Sequence, residues 1–235
     1  MLSKRPDPFK RLAGVLRASL VIVLLLAWLL PTPGRSALEF DTAMLERAMR
    51  SRYGAQGVQG LQAWLRVMQE QTGRAQEQQL EKINSFWNQA VIGSDDPTAW
   101  GEADYWATPL ESIGKRAGDC EDFVIGKYFS LLHLGVPVEK LRLVYVRARV
   151  GGLGSNHSIA HMVLGFYPTP DAVPLVLDNL VGDILPASER SDLTPVFSFN
   201  GQGIYVAGAS QKAPVERIGR WQGLLARMQQ EGFRP

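Results

Sequence analysis

One cysteine in 235 residues, Cys120, excludes an internal disulfide. Only three histidines are present. That is too few for a histidine-rich metal site, and any imidazole chemistry must come from His133, His157 or His161. The chain also lacks an apolar run of the about 20 residues that span a bilayer, an internal repeat and a low-complexity tract. Strong charge of either sign is missing as well. The formal net charge is +2, and residues 1–36 hold six basic side chains against Asp7 alone, so residues 37–235 carry −3. A nucleic-acid-binding surface therefore has no support. What is abundant is apolar material, 46% of the residues, enough for a globular core that needs no staples.

The leader has a readable shape. Basic residues run to Arg17, an uncharged apolar block follows from Ala18 to Leu30, and Pro31 and Pro33 precede the small residues around Ser36. A charged start, a short apolar segment and small residues describe a secretory signal peptide over 1–36, cleaved after Ser36. The alternative is an uncleaved inner-membrane anchor. Both place residues 37–235 in the periplasm, where an unpaired thiol is a liability unless it is inert or used.

The periodicity of the remainder predicts one α+β domain. Leu45, Met49 and Tyr53, then Leu61, Trp64, Leu65 and Met68, then Leu80, Ile83, Trp87 and Val91 mark three amphipathic helices whose stripes read as core. Ser94-Asp95-Asp96-Pro97 ends them, and an aromatic loop with Trp100, Tyr105 and Trp106 follows. A helix is expected from Asp119 to Leu134, stopped by Gly135 and Pro137. Strands are expected over 141–149, 159–167, 174–180, 194–199 and 204–207, with Asn200-Gly201-Gln202-Gly203 as a hairpin turn and a closing helix through Trp221.

Cys120 then falls in the first turn of a helix, where free N–H groups and the macrodipole favour a thiolate. Its N–H is a natural oxyanion donor. A thiolate nucleophile needs a histidine, oriented in turn by a third group. His133 lies 13 residues along the same helix, about 20 Å away, which excludes it. His161 shares a strand face with Ile159 and Val163. A hairpin centred between Thr169 and Pro170 would set Asp178 directly opposite it, within reach of the imidazole. His157, in the glycine-rich loop, is the second candidate base.

Four blocks carry a resemblance: Asp104-Tyr105-Trp106-Ala107-Thr108-Pro109-Leu110-Glu111, Ala117-Gly118-Asp119-Cys120-Glu121-Asp122, Ala160-His161-Met162-Val163-Leu164 and Leu175-Val176-Leu177-Asp178-Asn179-Leu180. Together, over about Trp100 to Tyr205, they resemble the bacterial transglutaminase-like cysteine proteinases. The resemblance implies a papain- or transglutaminase-like fold, with N-terminal helices and the Cys120 helix start packed on an antiparallel sheet. It also implies Cys120 as nucleophile, His161 as general base and then acid, and Asp178 as the orienting residue. The substrate implied is a large surface adhesin, cut in its N-terminal region to disperse biofilm. An inner-membrane receptor for cyclic di-GMP is the implied inhibitory partner, inserting a hydrophobic residue near the site, and the aromatic loop from Trp100 to Trp106 is the candidate for part of the surface that meets it.

Asp119, Glu121 and Asp122 suit a helix's first turn, yet they oppose ionisation of the neighbouring thiol. A Ca²⁺ ion would resolve that conflict, and the resemblance implies one bound beside the cysteine through these acids. Two features depart from the family pattern: the length of Gly151–Asn156, and Ile204-Tyr205 where a tryptophan is expected. A transglutaminase that resolves the acyl-enzyme with an amine, and a non-catalytic binding module, are the competing readings.

Overall fold

The computed structural model describes residues 38–152, 154–206 and 212–234. The leader called over 1–36 and the end of the strand called over 204–207 lie outside these residues. In chain order the elements are β1 (Glu39–Phe40), α1 (Thr42–Gln71), α2 (Gln76–Ala90), β2 (Ile92–Gly93), α3 (Asp96–Ala99), α4 (Pro109–Lys115), β3 (Ala117–Gly118) and α5 (Cys120–His133). They continue with β4 (Leu141–Arg149), β5 (Ser158–Phe166), β6 (Leu175–Leu177), β7 (Leu185–Pro186), β8 (Leu193–Asn200), β9 (Gly203–Tyr205), α6 (Gly219–Glu231) and β10 (Phe233–Arg234).

The two helices expected before Gly73 are one element with a kink. Gly54, at φ 63° and ψ −154°, is the non-helical residue within α1, a conformation glycine adopts without a Cβ clash. Asp41 opens α1 by accepting from the Met44 N–H at 3.0 Å. Pro109 begins α4 inside a capping box, in which Thr108 accepts from the Glu111 N–H and Glu111 accepts from the Thr108 N–H. Gly135, at φ 86°, follows the end of α5.

The main sheet has six antiparallel strands in the order β7-β6-β5-β4-β8-β9. Alternation along each strand sorts its residues between two faces. Leu141, Leu143, Met162, Leu164, Phe166, Leu177 and Phe199 join Trp64, Trp87, Tyr128 and Trp221 in the main core. Val146, Ala148, Val163 and Val176 form a smaller cluster of their own, and their strand parity puts it on the opposite face. His161 shares that parity. The helices on one face of an antiparallel sheet are the α+β arrangement the periodicity called for. Among the described residues no helix is long and apolar enough to cross a membrane.

Candidate active site

Asp119 occupies the N-cap position of α5, so Cys120 is its first residue. The thiol donates to Glu121 Oε2 at 3.0 Å, and the Met162 backbone N–H of β5 lies against it. Burial, then the charge and hydrogen bond of Glu121 and the charge of Asp119, push the Cys120 thiol well above its ordinary range; the Met162 N–H opposes them. In this arrangement the thiol is protonated.

On β5, next to Met162, His161 is 3% exposed. Its Nε2 meets Asp178 Oδ1 at 2.8 Å. With Nε2 bound to the carboxylate, Nδ1 is left as the nitrogen for a thiol. The register differs from the one expected. Leu164 pairs with Leu177 and Phe166 with Leu175, which centres the hairpin one residue later, between Pro170 and Asp171. Asp178 therefore lies diagonal to His161, just past the end of β6. A shift of two in register preserves the face, and diagonal neighbours on one face are within reach of an imidazole and a carboxylate.

Asp178 is held from several sides. The Leu180 N–H donates to Oδ1 at 3.0 Å, Arg190 Nη2 donates to Oδ2 at 2.8 Å, and the Asn88 side chain donates to its backbone carbonyl at 2.8 Å. Burial alone would raise this carboxyl. The bond and charge of His161, the Leu180 N–H and Arg190 outweigh it and lower the pKa to about 2. Lys127, on α5, is fully buried. Burial pulls its ammonium down to about 7 while the charge of Asp178 supports it. Arg190 and Lys127 were not legible as site residues, because their link to Asp178 is made only by tertiary packing.

The acids beside the cysteine fall into two groups. Asp119 and Asp122 converge with Asp96, carboxylate oxygens of all three lying within 4.8 Å of one another, while Glu121 falls in a second group with Asp96 and Asp104. Asp96 is thus common to both, although the sequence presented it only as part of a helix break. Three buried oxygens, Asp96 Oδ1, Asp119 Oδ1 and Asp122 Oδ2, have no hydrogen-bond partner. Asp119, at the N-cap position of α5, makes no side-chain capping bond. Burial, followed by the fields of Glu121 and Asp122, raises Asp119 to about 9. Burial also raises Asp122 and Asp96, against the N–H bonds of Ala107 and Tyr105. Buried carboxylate oxygens with no donor fit a hard cation that takes oxygen ligands.

The loop before α4 builds this acidic pocket. The Tyr105 N–H donates to Asp96 Oδ2 at 2.6 Å and the Ala107 N–H to Asp122 Oδ1 at 2.8 Å. Arg227 of α6 fixes the loop from behind, donating to the Trp106 carbonyl and stacking over the Tyr105 ring at 4.5 Å. Gly118 has no substitute here, since a Cβ would lie 2.6 Å from Asp122 Oδ2. Trp106 itself is buried, stacked on Phe199 with centroids 5.8 Å apart. This ring of the loop is core.

The other two histidines stand apart. His133 bonds the Leu38 carbonyl at 3.0 Å through Nδ1 and stacks on Phe40. His157 is exposed in the loop before β5, where its N–H donates to Ser155 Oγ at 3.1 Å.

A thiol at a helix start, a buried histidine–carboxylate pair and an acidic pocket on one fold define a class. The family model of the bacterial transglutaminase-like cysteine proteinases matches residues 62–192, more than half of the chain, and the chain belongs to that family. It is a cysteine protease by membership. Among solved structures it is similar to LapG of Legionella pneumophila. The EGTA-treated form is 39% identical, covers 82% of this chain and 100% of its own, and gives a TM-score of 0.70. The calcium-bound form is also 39% identical, covers 79% and 98%, and gives 0.67. Comparison with curated proteins gives no match.

Proposed function

We propose that this chain is a periplasmic, calcium-dependent cysteine endopeptidase in which Cys120 is the nucleophile, His161 the proton carrier and Asp178 the residue that orients it. The observation that carries the reading is the buried His161–Asp178 bond of 2.8 Å, on the strand whose Met162 N–H touches the Cys120 thiol. Asp178 fixes the Nε2–H tautomer and stabilises the imidazolium when it forms. His161 Nδ1 takes the thiol proton as sulfur attacks the peptide carbonyl, and the carbonyl oxygen gains charge beside the Cys120 N–H. The imidazolium then protonates the departing amine. Water, deprotonated by His161, cleaves the thioester and restores the thiol.

Asp96, Asp119 and Asp122 would hold the calcium ion through their unpartnered oxygens. When bound, the ion supplies positive charge that neutralises the acids opposing thiolate formation. EGTA-treated and calcium-bound forms of a similar solved structure support calcium as the ion.

The family resemblance supports a large surface adhesin as substrate, cut in its N-terminal region, and an inner-membrane cyclic di-GMP receptor as inhibitory partner. The leader over 1–36 supports the periplasmic address. The test is cleavage of a recombinant N-terminal fragment of a repeat-rich adhesin from the same genome. Wild type in Ca²⁺ cuts it, whereas Cys120→Ala and His161→Ala do not. EGTA stops cleavage, and Ca²⁺ but not Mg²⁺ restores it. Amine incorporation without cleavage would instead make the chain a transglutaminase.

A further inference from the structure

β5 is paired along all nine residues with β4, but β6 covers only Leu164, Gly165 and Phe166 on its other side. Residues 158–163 therefore leave an open edge among the described residues. In an antiparallel strand the backbone groups of successive residues point to alternate sides. The Val150 N–H bonds the His157 carbonyl at 2.9 Å, so 157, 159, 161 and 163 face β4. Ser158, Ala160 and Met162 face the open side. The Met162 N–H meets the Cys120 thiol. Two residues back, the N–H and C=O of Ala160 project into solvent, followed by those of Ser158. Ser158, Ile159 and Ala160 are all exposed, Ile159 by 37%.

An exposed edge is normally blunted, because it invites a second strand. Here the invitation ends at the nucleophile. We infer that an extended segment of the protein substrate adds to this edge as a strand, its backbone exchanging hydrogen bonds with Ala160 and Ser158 while its scissile carbonyl rests at Cys120. This inference rests on the protease reading. Every neighbouring pair in the sheet is antiparallel, and β6 leaves the line at Asp178. A strand continuing that line runs from the Met162 level toward Ser158. The residues that pair are then those after the scissile bond, on the departing-amine side. Affinity from main-chain pairing, with little demand on side chains, is how strand addition works.

Two substitutions test the idea in the full chain with Ca²⁺. Ala160→Pro removes a donor that faces away from β4, and proline is tolerated where a strand's N–H faces solvent. Its kcat/KM on the adhesin fragment should fall roughly 2- to 12-fold, the value of one net hydrogen bond. If that variant fails to fold by thermal melting, the second arm decides. Synthetic peptides spanning the mapped cleavage bond are N-methylated one amide at a time over the residues after the bond. Sensitivity should alternate with a period of two, with similar losses at the residues facing Ala160 and Ser158. Uniform tolerance of N-methylation, losses confined to residues before the bond, or an Ala160→Pro variant altered only in self-association would overturn the inference. A wild-type chain that cuts neither fragment nor peptide fails the protease reading first, and this one with it.

Discussion

Replacing Arg190 by methionine should destabilise the fold measurably, and the size of the effect follows from what the guanidinium touches. Arg190 is 4% exposed. Its Nη2 bonds Asp178 Oδ2 and Asp192 Oδ2 at 2.8 Å each, and its Nε bonds Asp192 Oδ1 at 2.9 Å. Asp192 lies near the surface and regains water when the pair is broken. Asp178 is fully buried and does not. Breaking a buried pair from one side costs about 3–5 kcal/mol. Asp178 keeps His161 and the Leu180 N–H on its other oxygen, so the lower end applies, about 3 kcal/mol. For a domain of this size that is a fall in Tm of about 6–12 °C. Asp178 is depressed from 3.8 to about 2. Stabilisation from a depressed carboxylate is complete above about pH 4 and lost as pH falls toward 2, and Arg190 supplies part of this shift after His161 and the Leu180 N–H. The assay is thermal unfolding of both proteins between pH 7 and pH 2, and the gap should narrow below about pH 4. Equal Tm at pH 7, or a gap that does not narrow below pH 4, would refute the reasoning.

Asp178→Asn should lose cleavage on the order of 10⁴-fold, as removal of an orienting carboxylate does in a serine protease, while His157→Ala stays active; kinetics on the adhesin fragment read both. Asp96→Asn should weaken Ca²⁺ on the order of 10-fold or more by calorimetry, because it removes one charge from a site whose affinity follows ligand charge. Gly126→Ala should cost about 1–3 kcal/mol in denaturant unfolding, since a Cβ there would lie 2.5 Å from the Trp87 ring.

The helical third, the sheet strands and the Cys120 helix start were legible because their apolar spacing and caps are local signals. Parity along β5 and β6 also carried the His161–Asp178 pair, even though the turn between them was placed one residue early. A two-residue register error keeps a side chain on its face, and a one-residue error does not. What the sequence hid was made by contacts between distant segments. Asp96 reads as a turn residue until the 105–107 loop folds its carboxylate toward Asp119 and Asp122. Arg190 reads as one more surface charge until the end of β6 brings Asp178 to it. The burial of Trp106 was equally hidden: in an aromatic-rich loop nothing local marks which ring enters the core.

The central claim is that His161 converts the Cys120 thiol into a nucleophile once calcium fills the acidic pocket. The direct measurement is the rate of Cys120 carbamidomethylation by iodoacetamide, followed by intact mass in Ca²⁺ and in EGTA. The chain has no second cysteine to confuse the signal. The account predicts rapid labelling of wild type in Ca²⁺, slow labelling in EGTA, and slow labelling of His161→Ala in both. Labelling at one rate under all of these conditions would contradict it.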